Sequence, residues 1–147
     1  MDRNKMDHRE GEGRLPEMAP LANPYVPFQQ EDPPKYEPRK GLVRGTLFPG
    51  LDLPFMGMVN KNELPVTPLS ELQTMAFALQ ELALYLDTHR DDKEALALYR
   101  TLQRMYDQGR VTYEKECGPL THMSQTEGAY RWLDDPWPWE YAKNREV

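Results

Sequence analysis

The sequence predicts a mainly α-helical protein: an antiparallel two-helix hairpin, strapped by a Trp/Pro-rich C-terminal segment and preceded by an extended proline-rich arm. Three observations lead to this fold class. Apolar residues recur at helical spacing between residues 69 and 117. Eleven of the 14 prolines lie before residue 69, and all three tryptophans lie after residue 130.

These shifts in composition divide the chain into a disordered tail at residues 1–18, an extended arm at 19–66 and a helical domain at 67–147. The tail alternates charges with glycine and holds few apolar anchors, which is typical of disorder. In the arm, each proline fixes its own φ and biases the preceding residue towards extended conformations. We therefore expect almost no helix in the arm, only polyproline II-like stretches or short edge strands with turns.

The arm holds more apolar side chains than an inert linker needs. Alternation at Leu51, Leu53 and Phe55 is typical of a strand, and Phe48-Pro49-Gly50 indicates a turn. Two interpretations remain open: the arm docks these side chains on a partner, or it wraps its own helices. The candidate partner-binding residues of the arm are Leu47, Phe48, Leu51, Leu53 and Phe55.

The first helix of the hairpin is predicted to run from about Pro68 to Thr88. Thr67 is a good N-cap, and proline is favoured at the first helical position. The helix carries an apolar stripe whose members step by three and four: Leu72, Ala76, Leu79, Ala83 and Leu86. Leu69, Met75 and Leu82 widen this stripe.

The second helix is predicted to begin at Asp91, because Asp91 followed by Glu94 has the spacing of a capping box. Its apolar residues continue to Cys117, and Gly118-Pro119 ends it. Gly109 costs up to about 1 kcal/mol in a helix interior, so a kink or break there is an open alternative.

Because the connection is short, the two helices should run antiparallel. Two helices alone bury only one face each and need a cover.

The C-terminal segment is one candidate cover. Pro136 and Pro138 predict an extended stretch in which the rings of Trp137 and Trp139 point the same way into one groove. Packing on the hairpin is favoured over binding to a partner, since large aromatic residues more often lie in a core. Trp137 and Trp139 are nevertheless kept as candidate partner-binding residues.

The composition argues against several classes of partner. The net charge is -6, and no run of lysine or arginine follows one face, so neither nucleic acid nor an anionic membrane surface is expected as a partner. Cys117 is the only cysteine, which excludes an intrachain disulfide and a cysteine-based metal site. No stretch has the apolar length of a signal peptide or a membrane helix, so we expect a chain made in a reducing cytoplasm.

Two clusters of reactive side chains have simpler explanations than catalysis or metal binding. Cys117 and His122 lie five residues apart across a Gly-Pro break, which matches no known spacing of a thiol nucleophile and its base. The turn between the helices groups side chains of the types that bind metals, but helix capping explains them: Asp87, His89, Asp91 and Asp92. No catalytic residue, cofactor or metal ligand is predicted.

Several motifs resemble known families. LYLDTH at 84–89, GPLTH at 118–122 and DPWPWE at 135–140 resemble the B-type protein of the spore-coat J set, CotJB, over Leu69 to Glu140. RGTLFPGLDLPF at 44–55 is similar to the A-type protein, CotJA. The chain thus resembles an A-type and a B-type protein joined end to end.

The resemblance implies a non-enzymatic structural protein of the bacterial endospore coat, made in the mother cell and deposited on the forespore. It implies other coat proteins as partners, among them a manganese catalase-like coat protein, and leaves homo-oligomerisation open. An alternative is an accessory subunit that delivers or retains manganese for that metalloenzyme through Asp87, His89, Asp91 and Asp92. The families bring no catalytic residues.

Overall fold

The computed structural model describes residues 26–53, 64–125 and 128–144, and these are mainly helical without a strand. The α-helices are α1 (Pro38–Arg44), α2 (Pro68–Thr88), α3 (Lys93–Glu116) and the single turn α4 (Tyr141–Asn144). Short 3₁₀ turns cover Pro49–Leu51 and Arg131–Leu133. The predicted disordered tail at 1–18 lies outside the described residues. None of the described helices is long and apolar enough to cross a membrane.

Helix α2 begins and ends at the predicted residues, and a capping box between Thr67 and Ser70 fixes its beginning. The Ser70 amide donates to Thr67 Oγ1 at 3.1 Å, and the Thr67 amide donates to Ser70 Oγ at 3.0 Å. Its buried residues include Leu72 and Leu82 of the predicted stripe, together with Ala78 and Tyr85, which the stripe did not include. Helix α2 packs against both α1 and α3, so it buries a wider surface than one neighbouring helix requires.

Helix α3 begins one residue later than predicted, with Asp92 and not Asp91 as its N-cap. Asp92 Oδ1 accepts from the Ala95 amide at 2.9 Å, while Oδ2 accepts from the Tyr85 hydroxyl at 2.8 Å. The hydroxyl of Tyr85 can bond only one of the two adjacent aspartates in this way. This contact with α2 explains which of them caps the helix.

Helix α3 passes through Gly109 without a break. A Cβ added there would lie 3.1 Å from Leu72 Cδ2 and 3.5 Å from Met75 Cε. The glycine therefore allows close approach of α2, and it sets the beginning of α2 beside the second half of α3. Of the two alternatives at Gly109, the helix is continuous and has no break. Packing against Leu72 and Met75 offsets the low helix propensity of glycine.

Replacing Gly109 with leucine should lower the free energy of unfolding by about 1–3 kcal/mol, because the added side chain overpacks the contact with Leu72. Gln108→Leu introduces the same side chain at an exposed neighbouring position and serves as the control. Urea unfolding followed by circular dichroism measures both variants. Equal stability of the two would contradict the close approach.

The expectation of almost no helix in the arm was wrong for residues 38–44, which form α1. Pro38 is the first residue of this helix, where a missing amide is tolerated, and the Glu37 side chain accepts from the Lys40 amide at 3.2 Å. Gly45, with φ of 79°, ends the helix in the left-handed region. The next proline is Pro49, and it starts a 3₁₀ turn at the predicted turn position.

The hydrophobic core combines the arm with the two long helices. The arm contributes Leu47 and Phe48, and the helices supply the other buried members: Ala78, Leu82, Tyr85, Ala95 and Leu102. The arm thus covers apolar side chains that α2 and α3 cannot cover alone.

Candidate partner-binding surfaces

The tip of the arm, residues 46–48, inserts into the core. Leu47 and Phe48 are each 2% exposed, and the Phe48 ring centroid lies 5.3 Å from that of Tyr85. Of the two open interpretations of the arm, the structure shows these side chains against the chain's own helices. Leu47 and Phe48 are therefore not accessible to another protein while the arm occupies this position.

Glu81 on α2 holds the tip in place. Its Oε2 atom accepts from the Thr46 hydroxyl at 2.9 Å and from the Leu47 amide at 3.1 Å. The same hydroxyl accepts from the Phe48 amide at 3.2 Å. Sequence reasoning missed Glu81, although a carboxylate three residues after Ala78 on the buried face was a signal that a polar partner would be needed.

A buried ion pair folds the arm back on itself. Arg44 Nε and Nη2 donate to the two carboxylate oxygens of Asp52 at 2.6 Å each, and the Tyr36 hydroxyl donates to Oδ2 at 3.0 Å. The Asp52 side chain is 1% exposed and that of Arg44 is 26% exposed. Hydrogen bonding to Asp52 raises the pKa of Arg44. This bidentate contact closes α1 and the 3₁₀ turn into one unit.

One further contact joins the arm to α2. The Asp32 amide donates to the Tyr85 hydroxyl at 3.2 Å. Within the arm, Arg39 Nη2 donates to the carbonyl oxygen of Leu64, shortly before α2 begins. The arm therefore contacts α2 through Asp32 as well as through its buried tip.

The three tryptophans of the C-terminal segment pack against one another. Trp132 stacks on Trp137 with ring centroids 6.2 Å apart, and Trp139 makes edge contacts with both, at 5.8 and 4.8 Å. Trp137 Nε1 is buried with no hydrogen-bond partner among the described residues. The ring of Trp137 is therefore held by its packing against Trp132 and Trp139 and not by a hydrogen bond.

Trp137 and Trp139 line different crevices and do not share one groove. Trp137 lines a crevice with Tyr113 and Cys117 at the end of α3. Trp139 lines a groove of about 140 Å³ formed mainly by residues 64–73, at the beginning of α2. The C-terminal segment turns at 138–139 and is not extended there, which explains the different directions of the two rings.

Trp139 remains 60% exposed at the edge of this groove. Among the predicted partner-binding residues of the described ranges, it is the most accessible. Leu51 and Leu53 are half-buried, as is Trp137, and Phe55 lies outside the described residues. Other large apolar side chains that are exposed include Val66, Val111, Met123 and Leu133.

The turn before α3 is held by its own hydrogen bonds and ring contacts. The His89 ring stacks on Tyr85 with centroids 4.2 Å apart, and its Nδ1 lies 3.2 Å from the Tyr85 carbonyl oxygen. Both carboxylate oxygens of Asp92 accept hydrogen bonds within the chain. Within the described ranges, no three side chains of His, Cys, Asp or Glu are grouped so that they could hold a metal ion.

The hydrogen bonds from the Ala95 amide and the Tyr85 hydroxyl lower the pKa of Asp92. A carboxyl whose pKa is lower in the folded state stabilises the fold above its unfolded pKa, about 3.9, and loses that contribution as pH falls through the folded pKa.

We expect the stability advantage of the natural protein over Asp92→Asn to shrink below about pH 4. Tyr85→Phe, which removes one donor, should reduce this pH dependence in part. Urea unfolding between pH 2.5 and pH 6, a range of about two units around the unfolded pKa, measures it. An advantage that does not change over this range would contradict the assignment.

Cys117 does not have the surroundings of a reactive thiol. Burial, with a smaller effect from Glu116, raises its pKa and so lowers the fraction of thiolate. The His122 ring contacts Trp132, with centroids 6.4 Å apart, and Glu114 accepts from the Ser124 hydroxyl at 2.6 Å. These contacts support a packing role for the thiol.

The fold is a small helical module whose two long helices cover a segment of the same chain. It leaves a tryptophan and several aliphatic side chains exposed, and these are candidate contacts with other proteins.

Two family models then match the chain. Residues 67–140 match the CotJB protein family, and residues 20–55 match the family described as spore coat associated protein JA (CotJA). The first match spans half of the chain, so the chain belongs to the CotJB family. The order of the two matches confirms the predicted fusion and indicates a spore coat-associated protein. No curated protein and no solved structure matches the chain.

Proposed function

We propose that the protein is a non-enzymatic structural component of the bacterial endospore coat that assembles by binding other coat proteins. The observation that carries the proposal is the pair of family matches, CotJA and CotJB, on one chain. It is made in the mother cell and deposited on the forespore. One of its partners is a manganese catalase-like coat protein.

The architecture supports a role in binding. The arm packs against the two long helices, Trp137 lies at the end of α3, and Trp139 lies at the beginning of α2. Several large apolar side chains remain exposed, among them Val66 and Trp139. Exposed apolar side chains that lie beside a groove are candidates for a site that binds another protein.

The surface that fits this role best is the edge of the groove at the beginning of α2. Trp139 projects there beside Leu64, Pro65 and Leu69. Val66, which is exposed, lies between two residues that line the groove. Tryptophan buries a large apolar area at little entropic cost and is enriched among the residues that dominate binding energy. We place the contact with the manganese catalase-like protein on this surface.

The test replaces Trp139 with alanine in the full chain and isolates the protein from sporulating cells. We expect the natural protein to co-purify with the manganese catalase-like coat protein and the variant to lose at least about tenfold of it, the effect of a typical binding hot spot. Tyr130→Ala, another exposed aromatic residue of the same segment, is the matched control. Absence of the partner from the natural preparation, or equal recovery with both variants, would contradict the proposal.

The alternative role, delivery or retention of manganese by the turn before α3, is separated by a second measurement. It requires Asp87, His89, Asp91 and Asp92 to bind the ion, but Asp92 and His89 already contact the chain's own atoms. If the assembly role is correct, replacing Asp87 and His89 with alanine should leave the manganese content of the isolated complex unchanged. Loss of manganese would support the alternative.

A further inference from the structure

The contact between the arm and the helices has the composition of an interface between two proteins. It joins buried apolar side chains, Leu47 and Phe48, to a polar anchor at Glu81. Specific interfaces commonly combine a fully buried apolar centre with a few hydrogen bonds that fix the geometry.

The arm also has internal contacts of its own. The Arg44–Asp52 pair and the hydrogen bond from the Tyr36 amide to the Leu47 carbonyl, at 2.8 Å, both join residues within 36–52. These contacts hold the tip in its bound shape. A segment that is shaped before binding loses less conformational entropy when it binds.

The boundary between the two family matches falls in the stretch that connects the two sides of this contact. The CotJA match ends at residue 55 and the CotJB match begins at residue 67. The buried tip lies in the first match, and the helices that receive it lie in the second. The interface therefore coincides with a junction between two families.

We propose that the face formed by α2 and α3 is a binding site for a CotJA-type segment and holds it noncovalently, so that the complex persists when the connection between residues 53 and 64 is cut. The covalent connection raises the effective concentration of the arm but is not what fixes its position. A CotJA-type protein on a separate chain would bind a CotJB-type protein through the same contact. This inference concerns the contact alone and does not depend on the proposed coat partner.

The test uses the full chain with a site-specific protease sequence inserted after Met58. The folded protein is cut, and native mass spectrometry over a dilution series measures the fraction of the two fragments that remains associated. We expect association at about 1 µM, within the range of specific protein complexes. Phe48→Ala should weaken it at least about tenfold, because it empties the buried centre.

Matched variants keep the test decisive. Phe28→Ala removes the same ring from an exposed position of the arm and should leave association unchanged. Thr46→Val keeps the side-chain volume but removes the hydrogen bond to Glu81, and should weaken association about three- to tenfold. It replaces Phe48→Ala if circular dichroism shows that the latter does not fold. Separation of the natural fragments after cutting, or equal association of the Thr46 and Phe28 variants, would overturn the proposal.

Discussion

Replacing Asp52 with alanine should lower the free energy of unfolding by about 3 kcal/mol. Removing one partner of a buried ion pair leaves the other charge without compensation, at a cost of about 3–5 kcal/mol. We expect the lower end because the Arg44 side chain is 26% exposed and regains part of its hydration. Urea unfolding of the full chain, followed by circular dichroism, measures the change.

Asp134→Ala is the matched control for this prediction. Asp134 also pairs with an arginine, Arg131, at 3.2 Å, but both side chains are largely exposed. Such surface pairs contribute about 0–1 kcal/mol. The Arg44→Met, Asp52→Leu double variant should recover part of the stability lost in Asp52→Ala, since it leaves no unpaired charge. A loss in Asp52→Ala no larger than that in Asp134→Ala would mean that the pair does not support the arm.

Replacing Leu82 with alanine should lower the free energy of unfolding by about 2–5 kcal/mol. Leu82 is 0% exposed and belongs to the core that joins the arm to α2 and α3. Truncation removes buried apolar atoms and leaves a cavity, and both effects destabilise the fold. The same unfolding measurement gives the magnitude.

Leu84→Ala makes the identical change two residues away on the same helix. Leu84 is 56% exposed, so we expect a change within about 0.5 kcal/mol. The two variants share length, composition and helix propensity, and they differ only in the face of α2 that they alter. If the losses were equal, Leu82 would not lie in the core described above.

The parts of the fold that depend on local signals could be predicted from the sequence. Helix α2 begins at the predicted residue because Thr67 and Pro68 act within its own first turn. Helix α1 departs from the extended arm that the prolines predict, because a proline restricts only its own backbone and that of the preceding residue. No proline lies between Pro38 and Pro49, so the amides that a helix needs are present there.

The features that depend on contacts distant in sequence could not be predicted in the same way. Asp92 and not Asp91 caps α3 because Tyr85, seven residues earlier, bonds to it. Glu81 finds its partners, Thr46 and Leu47, only in the arm, and Asp52 finds Arg44 only when the arm folds back on itself. The direction of Trp139 depends on the turn in the C-terminal segment.

The family was predicted from motifs and not from physical patterns. LYLDTH, GPLTH and DPWPWE fall within the CotJB match, and most of RGTLFPGLDLPF forms the turn and tip of the arm within the CotJA match. Periodicity and charge indicated helices that needed a cover. They gave no indication that the cover is a second family joined to the first.

The position of the arm is tested most directly by nuclear Overhauser contacts between the rings of Phe48 and Tyr85 in the full-length protein in solution. Their centroids lie 5.3 Å apart, so protons at the facing edges are close enough for cross-peaks. We predict clear cross-peaks between these rings, together with slow hydrogen exchange of the Leu47 amide that donates to Glu81. Absence of the cross-peaks, with rapid exchange of that amide, would show that the arm does not cover the helices.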